Sequence, residues 1–139
     1  MTDVRLADIA HSIAQEQHYL PLAGLSKWTG GWASAALGDP QGLDQAIAGV
    51  NELAGIGVGA GAPGCMAVLA EMCATAGRLE EGFGYAQLGE MMADDSGQHF
   101  YTVEVYRSTA LLHIATADQA QDPATRVAAM VNAESAARR

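Results

Sequence analysis

Apolar residues recur along this chain every three or four positions and almost nowhere alternate. Leu6, Ile9, Ile13 and then Leu20 mark the face of a first helix over about residues 3–18, because that spacing brings side chains to one side of a 3.6-residue turn. Leu22, Leu25, Trp28, Trp32 and Ala35 mark a second, with Pro21 tolerated in its first turn, where a backbone N–H has no partner anyway. Gly38-Asp39-Pro40 predicts a stop and a restart. Leu43, Ile47, Val50 and Ala54 give a third stripe, ending in the glycine-rich GIGVGAGAPG of Gly55–Gly64. A fourth helix fits Pro63–Ala76, with Met66, Leu69, Cys73 and Ala76 along one side and Gly77 as its stop. The fifth is expected over Leu79–Ala93, with Phe83, Ala86 and Glu90 at helical spacing, and Asp94–His99 as a polar loop. The sixth, about Phe100–Ala117, is expected to turn Val103, Tyr106, Ala110 and Ile114 inward. Asp122-Pro123 is a good N-cap and first-turn pair for a seventh. No segment predicts a strand. The expectation is all-α, with about seven helices.

The layout repeats. WASAALGDPQGLDQAI (Trp32–Ile47) and LAEMCATAGRLEEGFGYA (Leu69–Ala86) each hold a helix of small residues, a glycine, a short polar corner and a second helix. That second helix opens on glycine plus a large apolar residue, Gly42-Leu43 or Gly82-Phe83. The corner glycines Gly38 and Gly77 stand 39 residues apart, and a third helix pair, Phe100–Ala117 followed by 122–139, continues at about that interval. Helical hairpins of this kind bury their apolar faces by stacking. The chain is therefore expected to form one helical-repeat domain over 1–139, with approximate pairs 3–37, 41–76 and 79–117 and a last helix 122–139.

The run from Leu69 to Leu112 resembles a known family. Leu69-Ala70-Glu71, Ala76-Gly77, Glu80-Glu81-Gly82, Gly97, Tyr101 and Glu104-Val105-Tyr106-Arg107 follow the pattern of tetratricopeptide-like repeats in large bacterial signalling proteins. These are the MalT-type ATPase transcriptional regulators and the ATPase-linked class III adenylate/guanylate cyclases. The upstream GWASAALGDPQGLDQAI resembles the preceding repeat, with a shorter corner and without the double glutamate. The resemblance covers about residues 10–117. It implies a short solenoid of antiparallel helical hairpins acting as a regulatory interaction region. The family's nucleotide, cyclase and DNA-binding chemistry lies in other domains. No Walker-type G-x4-GK[ST] and no paired cyclase aspartates occur here, so those activities do not carry over.

Charge narrows the partners. Seven Lys+Arg stand against 16 Asp+Glu, a net −9, which disfavours direct binding to nucleic acid or an anionic membrane. No apolar run reaches the length of a membrane span. The N-terminus shows no basic segment followed by an apolar one, so a cytoplasmic protein is expected. Cys65 and Cys73 lie eight apart in one predicted helix, about 12 Å by helical rise and too far for a disulfide.

Each candidate chemistry meets a plainer reading. Phosphate binding by GIGVGAGAPG would need a preceding strand and a following lysine, and neither is present; an inter-repeat loop is the expectation. His11 and His18 could share a face with Asp8, but a metal would need a third ligand, and no Cys/His cluster exists. Glu71, Glu80, Glu81 and Glu90 could be paired carboxylates. Glu80-Glu81 at a helix start are explained by the helix dipole, and Glu104 and Arg107 form an i,i+3 pair. No cofactor, metal or catalytic residue is assigned. Lys27, Trp28, Tyr101, Glu104 and Arg107 are the candidate interaction surface, with core packing the main competitor for Trp28 and Trp32. Met66, Met72, Met91 and Met92 would suit an adaptable groove or a core. The expected role is a non-catalytic scaffold that binds a protein partner, another copy of itself or a regulatory ligand. The alternative is a small stand-alone enzyme or small-molecule binder using His18, His99, Tyr101 and Glu104.

Overall fold

The helical periodicity is realised almost throughout. A computed structural model describes residues 2–59 and 61–139, and among them the chain forms seven α-helices, one 3-10 turn and no strand. In order these are α1 (Thr2–Glu16), α2 (Leu20–Ala36), α3 (Gly42–Gly55), α4 (Ala62–Ala76), α5 (Leu79–Ser96), the turn His99–Tyr101, α6 (Thr102–Gln119) and α7 (Pro123–Ala137). No helix among the described residues is long and apolar enough to cross a membrane. Contacts gather into two units, Met1–Ala60 and Gly61–Arg139. The boundary therefore separates α3 from α4, which the division 41–76 places in one pair.

Local chemistry sets the helix ends. Gly77 closes α4 at φ 74°, with its own N–H on the Ala74 carbonyl (3.3 Å) and the Arg78 N–H on the Cys73 carbonyl (2.9 Å). That left-handed closure satisfies two carbonyls the helix leaves open. His18 closes α1 in the same way at φ 55°, with the Tyr19 N–H on the Ala14 carbonyl at 2.8 Å. A side chain there costs about 1 kcal/mol more than glycine would. Asp122 caps α7 as expected, accepting the Thr125 N–H at 2.8 Å. The expected polar loop Asp94–His99 is shorter than the spacing suggested, because α5 runs on to Ser96 before Gly97 stops it at φ 69°.

In the first unit, α2 and α3 pack antiparallel with their backbones in contact. Gly31 sits on Gly42 and Gly24 on Gly49. A Cβ added to Gly42 would lie 2.6 Å from the Gly31 carbonyl oxygen, and one on Gly49 2.8 Å from that of Gly24. Only glycine permits this approach. Its consequence is a core of small residues: Ala14, Ala23 and Ala46 are buried alongside Leu43, Val50 and Leu53. α1 lies antiparallel on α2, held by the His11 Nδ1 to Ala23 carbonyl contact at 3.0 Å.

The second unit uses the same device. α5 presents Gly82 and Gly89 to α4, where added Cβ atoms would meet Cys73 Cβ at 2.9 Å and Met66 Cβ at 3.0 Å. The second helix in contact is α6, through Leu112 and Val105. Leu112 anchors a fully buried cluster with Ala70 and Ala86, against which Leu79, Phe83 and Tyr85 pack. α4 and α6 run parallel, since Gly64 meets Tyr101 and Glu71 meets Arg107, offsets of 37 and 36 residues. α7 returns antiparallel along α6, with Arg126 donating to the Ala117 carbonyl at 3.2 Å.

Several side chains depart from the expected faces. α6 turns Val105, Ser108 and Leu112 inward, while Val103 is 72 % exposed and Ile114 is also outside. Buried Ser108 is tolerated because its hydroxyl donates to the Glu104 carbonyl at 2.7 Å, removing the penalty of an unmet polar group. Trp32, expected in the core, is half exposed, because α2 gives its buried face to Gly24, Gly31 and Ser34 instead.

Two measurements check these arguments. Gly31→Ala forces a methyl into the α3 backbone and should destabilise by about 3 kcal/mol; Gly82→Val, which meets Leu112 Cδ2 and Cys73 Cβ, should cost about 1–3 kcal/mol by overpacking. Urea unfolding that leaves both midpoints unchanged would overturn this packing account. The Thr125 hydrogen bond holds the Asp122 carboxyl below its ordinary value. Its stabilisation is therefore present above the unfolded carboxylate range and lost as pH falls through the depressed folded value. The stability gap between wild type and Asp122→Ala should be open at neutral pH and close on strong acidification.

Candidate functional site

The five residues of the expected interaction surface are divided between the units. Lys27 and Trp28 lie on α2. Lys27 Nζ is 2.6 Å from Glu52 Oε1 on α3, a half-exposed pair that spans the α2–α3 contact. The Trp28 backbone forms the floor on which Gly49 rests, and its indole N–H is buried without an acceptor among the described residues. Tyr101, at the start of α6, packs its ring so closely over Gly64 that an added Cβ would lie 2.6 Å from Cε1. That ring occupies a structural position.

Glu104 and Arg107 are brought together, and with them Glu71. Arg107 Nε donates to Glu104 Oε2 at 2.8 Å and Nη2 to Glu71 Oε2 at 2.6 Å. Glu71 first, then Glu104, raise the guanidinium above its ordinary value. A permanently charged arginine between two carboxylates has no proton to exchange at neutral pH. The arrangement cross-links α4 to α6. It is a clamp.

Other candidate chemistry disperses in the same way. An open depression of about 570 Å³ is lined by Gly77, Arg78, Leu79, Glu80, Glu81 and Gln119. Within it Arg78 makes a two-pronged contact to Glu81 at 2.6 and 2.9 Å, and Glu80 adds a second carboxylate. None of His99, Tyr101 and Glu104 lines it, and His18 belongs to the first unit as an exposed helix terminus. His99 stands in the open 3.6 Å from Asp94, and His113 packs on the Phe83 ring at 4.8 Å between centroids, where burial lowers its pKa. Cys73 is buried and Cys65 partly so, and burial raises the Cys65 pKa away from thiolate reactivity. Met66 and Met72 are core, whereas Met91 is exposed. Of the glycine-rich GIGVGAGAPG, Gly55 ends α3 and Ala62, Pro63 and Gly64 open α4; the Gly61 N–H donates to Gln98 Oε1 at 3.1 Å, and Ala60 lies outside the described residues. No group of three or more His, Cys, Asp or Glu side chains with metal-binding geometry occurs among the described residues.

What the structure does present is apolar surface on the first and last helices. α1 packs inward through Ala7, His11 and Ala14, and turns Leu6, Ile9 and Ile13 outward, each more than half exposed. α7 buries Ala129, Ala133 and Ala136 and exposes Val127, Met130 and Val131 to the same degree. On both helices the small residues are inside and the large ones outside, the reverse of a surface helix. The α1 triplet is the face named from sequence, with its orientation inverted. The α7 triplet escaped notice, although its i, i+3, i+4 spacing is present in the sequence.

Fold and surface together define a class: an all-α protein of antiparallel helical hairpins with unpartnered apolar stripes. Compared with known proteins, the chain matches no family model, and no curated protein or solved structure is significantly similar to it.

If the Arg107 clamp is structural, Arg107→Leu should lower stability by about 1 kcal/mol, the scale of partly exposed ion pairs. It should leave the helical circular-dichroism signal unchanged. A loss several times larger in chemical denaturation would show that the cluster does more than cross-link.

Proposed function

We propose that this chain is a non-catalytic helical-repeat scaffold that mediates protein–protein contact, as the resemblance to tetratricopeptide-like regions of MalT-type regulators and ATPase-linked cyclases implies. The observation that carries the reading is the inverted polarity of α1 and α7. Large apolar side chains facing water on two helices form the kind of surface that proteins bury against partners. Burying such side chains supplies the main driving force for association. The polar clusters fit the same reading, since they cross-link helices and so hold a binding surface in shape before it is occupied, which lowers the ordering cost of binding. The net charge of −9 favours a partner with a basic or neutral rim around an apolar centre.

Affinity capture with paired variants tests this. Wild type is expected to retain a defined set of cross-linked partners. Leu6→Glu/Ile13→Glu or Val127→Glu/Val131→Glu, confirmed as folded by circular dichroism, is expected to lose them. Unchanged capture by both variants, together with a small molecule that raises the melting temperature of all three proteins equally, would overturn the scaffold reading in favour of a ligand binder.

A further inference from the structure

The fifth helix carries charge that its own packing does not explain. α5 holds Glu80, Glu81, Glu90, Asp94 and Asp95 and no Lys or Arg, a net −5 in a chain that totals −9. Glu80 and Glu81 suit the positive start of the helix. Asp94 and Asp95 stand in its last turn, where the dipole opposes negative charge and no basic side chain offsets it. Asp94 has His99 at 3.6 Å, a contact that is ionic only when the imidazole is protonated. Arg78 engages Glu81, and the Tyr106 hydroxyl engages Glu90. Glu80 and Asp95 are exposed, with no ion-pair partner among the described residues.

The outer side of this helix also carries a glycine with no packing role. Gly82 and Gly89 turn toward α4 and α6, whereas a Cβ added to Gly84 would have nothing within 4 Å. Gly84, Leu88, Met91 and Asp95 recur at i, i+4, i+7 and i+11, which puts them on one side of the helix, and Glu80 lies one turn before Gly84. Leu88 is 43 % exposed and Met91 54 %. The result is bare backbone beside two large, adaptable apolar side chains, with carboxylates at both ends. Glycine weakens a helix, and here nothing inside the chain gains from it. Elsewhere in this fold, glycine is what lets a second helix lie close.

Charge selects the occupant. A second copy of α5 would set carboxylates against carboxylates, and the chain offers no basic helix of its own, since Lys27, Arg107 and Arg138 are each paired with glutamate. We propose that the outer side of α5 docks a basic amphipathic helix of another protein. Its apolar ridge lies over Gly84, Leu88 and Met91, and its Lys or Arg side chains meet Glu80, Asp94 and Asp95. The proposal extends the scaffold reading to a third surface, and its test leaves the α1 and α7 stripes intact.

A fluorescently labelled helical peptide of leucine and lysine at heptad spacing is the probe, read by anisotropy. Wild type should bind it at least about tenfold more tightly than a peptide of equal charge with serine in place of leucine. Gly84→Lys should weaken binding by at least about tenfold, the scale of an interface anchor, while raising the melting temperature, because lysine favours helix over glycine. Gly55→Lys makes the same change at an exposed glycine ending α3, again with nothing within 4 Å of an added Cβ. It should leave binding within about twofold, the scale of one screened charge. Equal affinity for the two peptides would overturn the proposal, as would equal loss in the two variants, which marks general attraction between opposite charges. Unchanged binding by Gly84→Lys would overturn it, and so would a lowered melting temperature, since that would give the glycine a role in the fold. Capture lost through the α1 and α7 variants is a separate measurement, so the scaffold reading stands or falls independently.

Discussion

Helix backbones touching at glycine are the constraint on which the rest of this structure depends. Gly24 and Gly31 on α2 meet Gly49 and Gly42 on α3, and Gly82 and Gly89 on α5 lie against α4 and α6. In each helix the two glycines are seven residues apart, close to two full turns, so both fall on one face. Removing the side chain at those points lets the helices close until backbone atoms are in contact, which multiplies weak dispersion contacts without immobilising flexible side chains. Glycine weakens each helix intrinsically by about 1 kcal/mol relative to alanine. The close packing offsets that cost, and so the arrangement is intolerant of even one methyl group.

Close approach then decides which residues are inside. Between backbones this near there is room for alanine, serine and cysteine, and the buried set is accordingly rich in Ala46, Ala70, Ala86, Cys73 and Ser108. Leu112 is buried where three helices meet, among α4, α5 and α6. The same rule governs α1 and α7, whose alanines face inward. Their leucine, isoleucine, valine and methionine are displaced to the surface. The apolar stripes on these helices are thus a consequence of the packing mode that builds the interior.

Polar groups have a consistent place in this scheme. Lys27–Glu52 fastens α2 to α3, Arg107 fastens α4 to α6 through Glu71, and Tyr106 joins α6 to α5 by donating to Glu90 at 3.0 Å. Each lies at the margin of a helix contact where water reaches it, so each contributes modestly to stability but fixes register. Glu71, Glu90, Glu104 and Tyr106, which the sequence offers for chemistry or recognition, are engaged in this way.

The sequence by itself determined the helices. Their number, order and most of their ends follow from apolar spacing, from Gly77 as a left-handed stop, and from Asp122-Pro123 as a start, because these are local effects within a turn or two of chain. The faces were not legible. Val103 and Ile114 lie outside, Val105 and Leu112 inside, and Leu6, Ile9 and Ile13 look into water, because periodicity identifies an apolar stripe without saying which stripe a neighbour covers. The paired glycines at 24 and 31, 42 and 49, and 82 and 89 were a readable signal for that choice, since they mark the side on which a second backbone must fit. Whether a glycine weakens a helix or locks two together depends on a partner distant in the chain, and only the tertiary structure supplies it.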